Sequence, residues 1–75
     1  MNRLKDLRED KDLKQIDIAK KLGISQRGYS HYETGDNNIP NNILIKLAHF
    51  YNTSTDYILG ITNINKPYEK NKKSS

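Results

Sequence analysis

The chain has 75 residues, no cysteine and a net charge of +4 at pH 7, so it has the size of one small domain and can form neither a disulfide nor a thiolate metal site. Residues 66–75 carry +3 of that charge and the rest of the chain only +1, so overall basicity alone says little about a nucleic-acid partner. Leu, Ile and Phe account for 17 residues and valine is absent, a composition that favours a folded, all-α protein over a disordered or strand-rich one.

Several classes of function find no support in the sequence. No run of 18 apolar residues occurs and the N-terminus lacks a charged and then apolar signal region, so we expect a cytoplasmic protein that does not contact a membrane. The chain has no glycine-rich phosphate loop and no histidine with a catalytic spacing to an acid, and His49 has no second metal ligand at a suitable spacing. We therefore expect no catalysis, no cofactor, no metal and no small-molecule ligand.

Apolar spacing predicts two helices in the first third of the chain. Leu4 and Leu7 share one face among charged residues, which predicts a short amphipathic helix over residues 3–10. A second apolar stripe predicts a helix over residues 14–22, and Gly23 is suited to end that helix in a left-handed conformation. Both signs of charge alternate along the first helix, whereas the second carries mostly cations.

Three more helices are predicted beyond this turn. Ser25 is a good N-terminal cap for a third helix over residues 26–34, which would end at Gly35. Proline suits the first position of a helix, and the apolar run that follows predicts a fourth helix over residues 40–51. Because that helix is apolar nearly all round, we expect it to be buried on more than one side. A last short helix is predicted over residues 55–59.

The composition also predicts a domain boundary and an oligomer. We expect one domain over residues 1–61 and a flexible basic tail over residues 62–75, which has little apolar content. A chain of this size cannot cover an apolar fourth helix by itself, so we expect a homodimer that uses the outer face of that helix. The other candidate interface residues lie at the end of the fifth helix: Tyr57, Ile58, Leu59 and Ile61.

The second and third helices have the spacing of a helix-turn-helix. Ala19 supplies a small residue where the two helices approach closely, and Gly23 supplies the positive φ of the turn. At about 100° per residue, the third helix places its tyrosines on one side and its other polar groups on the opposite side. That polar face consists of Gln26, Arg27, Ser30, His31 and Thr34. Any solvated helix face is polar, but residues 25–32 lack the usual Lys and Glu, which favours base reading in a major groove.

Two segments resemble a known family. The segment LKQIDIAKKLGISQRGYSHYETG, at residues 13–35, resembles the helix-turn-helix of the Cro and phage-repressor (XRE-type) DNA-binding family. The segment IPNNILIKLAHFYNTSTDYILG, at residues 39–60, is similar to the fourth and fifth helices of many small Gram-positive and prophage regulators of that family. The resemblance extends over residues 3–60 and implies a five-helix, lambda-repressor-like domain.

The resemblance also implies roles for individual residues. The family reads bases from the first two exposed positions of the third helix and from one turn later, here Gln26, Arg27 and His31. Ser30 lies nearby on the same face. A glutamine at the start of the second helix, here Gln15, touches a phosphate and braces Gln26. The residues themselves, rather than the resemblance, suggest the other contacts to the DNA backbone: Lys14, Lys20, Tyr32, Asn37 and Asn38. The two asparagines are in the first place turn formers.

Lys14 and Gly28 are among the positions that depart from the family pattern. Lys14 stands where the family usually has a Thr or Ser cap for the second helix, at a cost of about 1 kcal/mol, and Gly28 weakens the third helix by about the same amount. Neither change removes the helix-turn-helix pattern. We expect Glu33 to bind neighbouring side chains rather than DNA, because phosphates repel a carboxylate.

The leading functional hypothesis is a homodimeric, sequence-specific transcriptional regulator that acts as a repressor on a palindromic, double-stranded operator. The alternative is an antitoxin or anti-regulator whose main partner is another protein. Its support is the apolar surplus of the fourth helix and the tail. Enzymatic activity comes a distant third.

Overall fold

The computed structural model describes residues 2–67, and over this range the chain forms five α-helices and no strand. The helices are α1 (Leu4–Asp10), α2 (Gln15–Leu22), α3 (Gln26–Thr34), α4 (Asn41–Phe50) and α5 (Thr55–Leu59). The predicted all-α, five-helix fold is confirmed, and every boundary lies within one residue of its predicted position. No helix in this range is long and apolar enough to cross a membrane.

Two local features build the turn between α2 and α3. Gly23 ends α2 in the left-handed region, with a φ of 73° that disfavours any residue carrying a Cβ. Ser25 then begins α3, and its Oγ accepts a hydrogen bond from the Gly28 amide at 3.0 Å. A Cβ added to Gly28 would lie 3.2 Å from that oxygen, so the glycine also leaves room for the cap.

The start of α2 is stabilised by an acid in its first turn. The Lys14 side chain cannot accept a hydrogen bond and so does not cap the helix. Asp17 compensates in part, because its Oδ2 accepts a hydrogen bond from the Lys14 amide at 2.9 Å. A negative charge in the first turn is also favoured by the helix dipole. The expected loss of capping at Lys14 is therefore partly offset.

Each helix contributes one fully buried large side chain to a single core. In chain order these are Leu4, Ile18, Tyr29, Leu47 and Ile58. Burying an apolar side chain of this size contributes about 1.5–3 kcal/mol. Because α2 packs on α3 and on α4, and α4 packs on α5, apolar contacts as well as the turn fix the orientation of the helix-turn-helix.

The core position of Ile58 corrects the predicted dimer interface. Its side chain is fully buried, and its carbonyl oxygen accepts a hydrogen bond from the Arg3 amide at 2.9 Å, so it cannot contact a second copy. Consecutive residues on a helix face different directions, so the run of predicted interface residues cannot all point outward. Tyr57 is half-buried, whereas Leu59 and Ile61 are 42% and 70% exposed.

The fourth helix has one buried and one exposed apolar side. It turns one apolar side to the core, formed by Ile43, Leu44, Leu47 and Ala48. Ile45 on the same helix is exposed, and Phe50 is half-buried. A single copy therefore leaves part of the apolar surface of α4 uncovered, as expected for a chain of this size. Burial of the outer face of α4 by a second copy stays a prediction.

Arg3 ties the beginning of the chain to the segment after α5. Its guanidinium donates hydrogen bonds to the carbonyl oxygens of Tyr57 and Thr62, at 3.3 and 3.0 Å, and to Oδ1 of Asn63 at 2.6 Å. It also lies over the Tyr57 ring, 4.3 Å from the centroid. These contacts extend two residues past the boundary predicted at Ile61. Residues 68–75 of the predicted tail lie outside the described residues.

Candidate nucleic-acid interface

The outward face of α3 presents the four predicted base-reading side chains. Gln26 and Arg27 in the first turn are exposed, and Ser30 and His31 in the next turn are half-buried. Tyr29, between them in sequence, is fully buried and fixes the rotation of the helix. These four side chains line one surface depression of about 450 Å³ together with Gln15, which is predicted to contact a phosphate.

Three cations predicted to contact DNA are exposed and available to a polyanion. Lys14 and Lys20 on or beside α2 are exposed, as is Arg27 on α3. None of the three forms an ion pair with another residue of the range 2–67. By contrast, the exposed carboxylate of Asp36, just after α3, lies 3.3 Å from the His31 ring. The charge arrangement favours an anionic partner at this face.

His31 is oriented by a residue that the sequence analysis did not single out. Its Nδ1 lies 3.3 Å from Oδ2 of Asp36, just beyond the glycine that ends α3. When Nδ1 carries the proton it donates to the carboxylate, and in the neutral ring Nε2 is then a hydrogen-bond acceptor. Gly35 could have indicated this contact in the sequence. It ends α3 in the left-handed conformation and turns the chain back, so that Asp36 reaches the preceding helical turn.

Behind the outward face of α3 lies a buried ion pair. Glu33 accepts two hydrogen bonds from Arg8, from Nε to Oε2 and from Nη2 to Oε1, both at 2.9 Å. The side chains are only 12% and 5% exposed for Arg8 and Glu33. Arg8 Nη1 also donates to the carbonyl oxygen of Leu13 at 2.9 Å. Glu33 thus binds neighbouring side chains, as expected, but its partner on α1 had not been predicted.

The surroundings of the ion pair favour its charged form. Burial favours the neutral acid, but hydrogen bonds from Arg8 and Gln15 hold the pKa of Glu33 below its usual value. The hydrogen bond to Glu33 likewise raises the pKa of Arg8. Burial raises the pKa of Tyr51 to about 12 and also raises that of Tyr29. At neutral pH, one carboxylate and one guanidinium therefore sit beside neutral phenols.

Gln15 has a different partner from the one expected. Its Nε2 donates a hydrogen bond to Oε1 of Glu33 at 3.1 Å. Within residues 2–67 no hydrogen bond joins it to Gln26, the residue that the family resemblance led us to expect. Gln15 therefore bonds Glu33 in place of Gln26, because a buried carboxylate is a stronger hydrogen-bond acceptor than an amide oxygen.

The remaining predicted backbone contacts lie at the end of α3 and after it. Tyr32 is half-buried against the core, and its carbonyl oxygen accepts a hydrogen bond from Asn2 Nδ2 at 2.8 Å. Asn37 and Asn38 are exposed in the loop before α4, and the Asn37 amide donates to the carbonyl oxygen of His31 at 3.2 Å. The loop is thus attached to α3, and both asparagine side chains remain accessible.

Comparison with known proteins identifies the family. Residues 4–58 match the model of a family described as helix-turn-helix. The chain belongs to the XRE-type helix-turn-helix family. The resemblance found in the sequence is thereby confirmed, and the match includes every predicted DNA-contacting residue of this helix-turn-helix domain. The family is a class of DNA-binding regulators and not a class of enzymes.

Several curated relatives come from Bacillus subtilis (strain 168). The domain is 37% identical over 67 residues to the HTH-type transcriptional regulator ImmR, covering 89% of this chain and 53% of the relative. It is 39% identical over 61 residues to the uncharacterized HTH-type transcriptional regulator YobD, covering 81% of this chain and 54% of that relative. The chain thus spans about half the length of these relatives. No solved structure gives a significant match.

Proposed function

We propose that this chain is a sequence-specific DNA-binding transcriptional regulator, a homodimeric repressor that reads a palindromic operator with α3 in the major groove. The observation that carries the proposal is the outward face of α3, where an amide, a guanidinium, a hydroxyl and an imidazole line one depression. The names of the helix-turn-helix regulators to which it is similar support it as well.

In this proposal the first turn of α3 supplies direct readout. Gln26 offers an amide that can pair with N6 and N7 of adenine, and Arg27 offers a guanidinium that can pair with O6 and N7 of guanine. Ser30 and His31, one turn later, extend the reading to neighbouring bases. The burial of Tyr29 behind them keeps the four side chains in one orientation.

The phosphate contacts hold α3 in the groove. Lys14 and Lys20 supply positive charge, and Gln15 supplies an amide donor at the start of α2. Further contacts to the DNA backbone come from Tyr32 near the end of α3 and from Asn37 and Asn38 in the loop that follows. Contacts of this kind fix the register of the protein on the duplex without carrying sequence information.

DNA binding is expected to weaken steeply with salt, because bound cations release counterions from the duplex. We expect the logarithm of the association constant to fall with the logarithm of salt concentration with a slope of roughly −3 to −8 per dimer. Lys20→Ala should weaken binding to all sequences alike and reduce the slope by about 1 per subunit. Fluorescence anisotropy on duplexes at several salt concentrations measures both quantities, and a flat salt dependence would contradict the proposal.

The dimer is expected to use the exposed apolar side chains near the end of α5. One half-site of a few base pairs is too short for specific binding, so two recognition helices about 34 Å apart are expected. With Ile58 in the core, the interface candidates are Leu59 and Ile61, with Tyr57 at the edge and exposed Ile45 on the outer face of α4.

Replacing Leu59 and Ile61 with aspartate should convert the dimer into monomers. At a two-fold interface each new charge would face its own copy, whereas both positions are exposed in a single copy and tolerate the change. Sedimentation equilibrium of the wild type and the variant measures the mass. A variant that remains dimeric would place the interface elsewhere, and a monomeric wild type would leave these side chains for a protein partner, as the antitoxin or anti-regulator alternative requires.

A further inference from the structure

The contact between Gln15 and Glu33 gives the buried ion pair a second role. Gln15 lines the surface depression beside α3. Its Nε2 donates to the Glu33 carboxylate, which itself accepts two hydrogen bonds from Arg8. We propose that Glu33 is a positioning residue for DNA binding, which fixes the Gln15 side-chain amide so that it presents an N–H group to a phosphate. The inference rests on the proposed function and deepens it.

The direction of the amide follows from its chemistry. A glutamine amide has two N–H donors on one side and an oxygen acceptor on the other, and a phosphate accepts only from the donors. If the amide were flipped, its oxygen would face the Glu33 carboxylate and be repelled. Glu33 therefore holds the NH₂ group in place by one hydrogen and leaves the second hydrogen for the ligand.

Arg8 is what allows a carboxylate to act so close to a polyanion. A lone carboxylate at this depth would repel phosphates. Here the guanidinium of Arg8 binds both Glu33 oxygens at 2.9 Å, so the pair has no net charge. The side chain of Glu33 is only 5% exposed, so we assign its effect on DNA to Gln15, its partner in the depression.

The arrangement also lowers the entropy lost on binding. A free glutamine side chain samples many rotamers, and ordering it at an interface costs free energy. Because Glu33 is held rigidly by Arg8, the bond from Gln15 restricts that side chain before DNA arrives. The rigid elements that contribute to this arrangement are α1, α2 and α3, each through one residue.

A double-mutant cycle tests the inference. The probe is a duplex selected from a random library by the wild-type protein. We expect Glu33→Gln and Gln15→Met each to weaken binding by roughly five- to tenfold, and the double variant to bind no more weakly than Gln15→Met alone. A purely structural role for Glu33 predicts instead that its effect persists in the Gln15→Met background, and that result would overturn the inference.

Controls keep failure of folding and failure of function apart. Circular dichroism at the assay temperature establishes that each variant is folded. If Glu33→Gln does not fold, the combined replacement Arg8→Met and Glu33→Met removes the pair without leaving a buried charge, and its effect must likewise vanish with Gln15→Met. A wild type that selects no sequence would refute the proposed function. A wild type that selects one, with additive variants, would refute only the role of Glu33.

Discussion

Replacing Arg8 with methionine is expected to lower the free energy of unfolding by about 3–5 kcal/mol, because Glu33 would remain buried without its partner. Its side chain is only 5% exposed and accepts both guanidinium hydrogen bonds. Domains of this kind are stable by only about 5–15 kcal/mol, so the loss should bring the variant close to unfolding. Urea denaturation followed by circular dichroism measures it.

The matched control carries Glu33→Met in addition. Replacing both members of a buried pair with apolar residues of similar size is often neutral or stabilising, so this protein should regain most of the lost stability. The pKa of Glu33 is lowered in the folded state, so the stability linked to its charge is present above the ordinary pKa and lost as the pH falls through the folded value. The double replacement should lack that part of the acid dependence. An Arg8→Met protein as stable as wild type would contradict this account of the pair.

Gln26→Ala and Arg27→Ala are each expected to cost about 1–3 kcal/mol of DNA-binding free energy per half-site. Each should also relax the preference at one or two adjacent base pairs. Both side chains are exposed on the first turn of α3, so neither change should affect the core. Binding measurements on selected duplexes, together with a new selection from a random library, give the affinity and the base preference of each variant.

Lys20→Ala is the matched control for base reading. It removes an exposed cation from α2, so affinity should fall while base preference stays the same. If Arg27→Ala behaves like Lys20→Ala, then Arg27 holds a phosphate and Gln26 reads alone. If Gln26→Ala leaves the base preference unchanged, α3 does not read the groove in the proposed way.

The helices could be predicted because their causes are local. Caps such as Ser25 and terminators such as Gly23 act within one turn of the chain. The two faces of α3 followed from helical periodicity, and the burial of Tyr29 agrees with that analysis. The family resemblance added the assignment of roles, which periodicity alone does not give.

The errors concern contacts between distant residues. Arg8 and Glu33 are 25 positions apart, and no local pattern in a single sequence links them. Ile58 was assigned to the dimer interface together with its apolar neighbours, whereas the direction of its side chain depends on how α5 docks on the core. The partner of Gln15 was likewise missed, because the expected partner was Gln26 and the buried carboxylate of Glu33 lies on another helix.

The hydrogen bonds of Arg3 have a consequence for motions of the native domain. They span 54 to 60 positions of the chain, so the start of α1 and the segment after α5 cannot detach independently. Terminal segments usually fray one by one, but the two segments joined by Arg3 should open as one cooperative unit. The amide protons of Arg3 and Ile61, bonded to the carbonyl oxygens of Ile58 and Asp56, should therefore exchange with solvent at closely similar opening free energies.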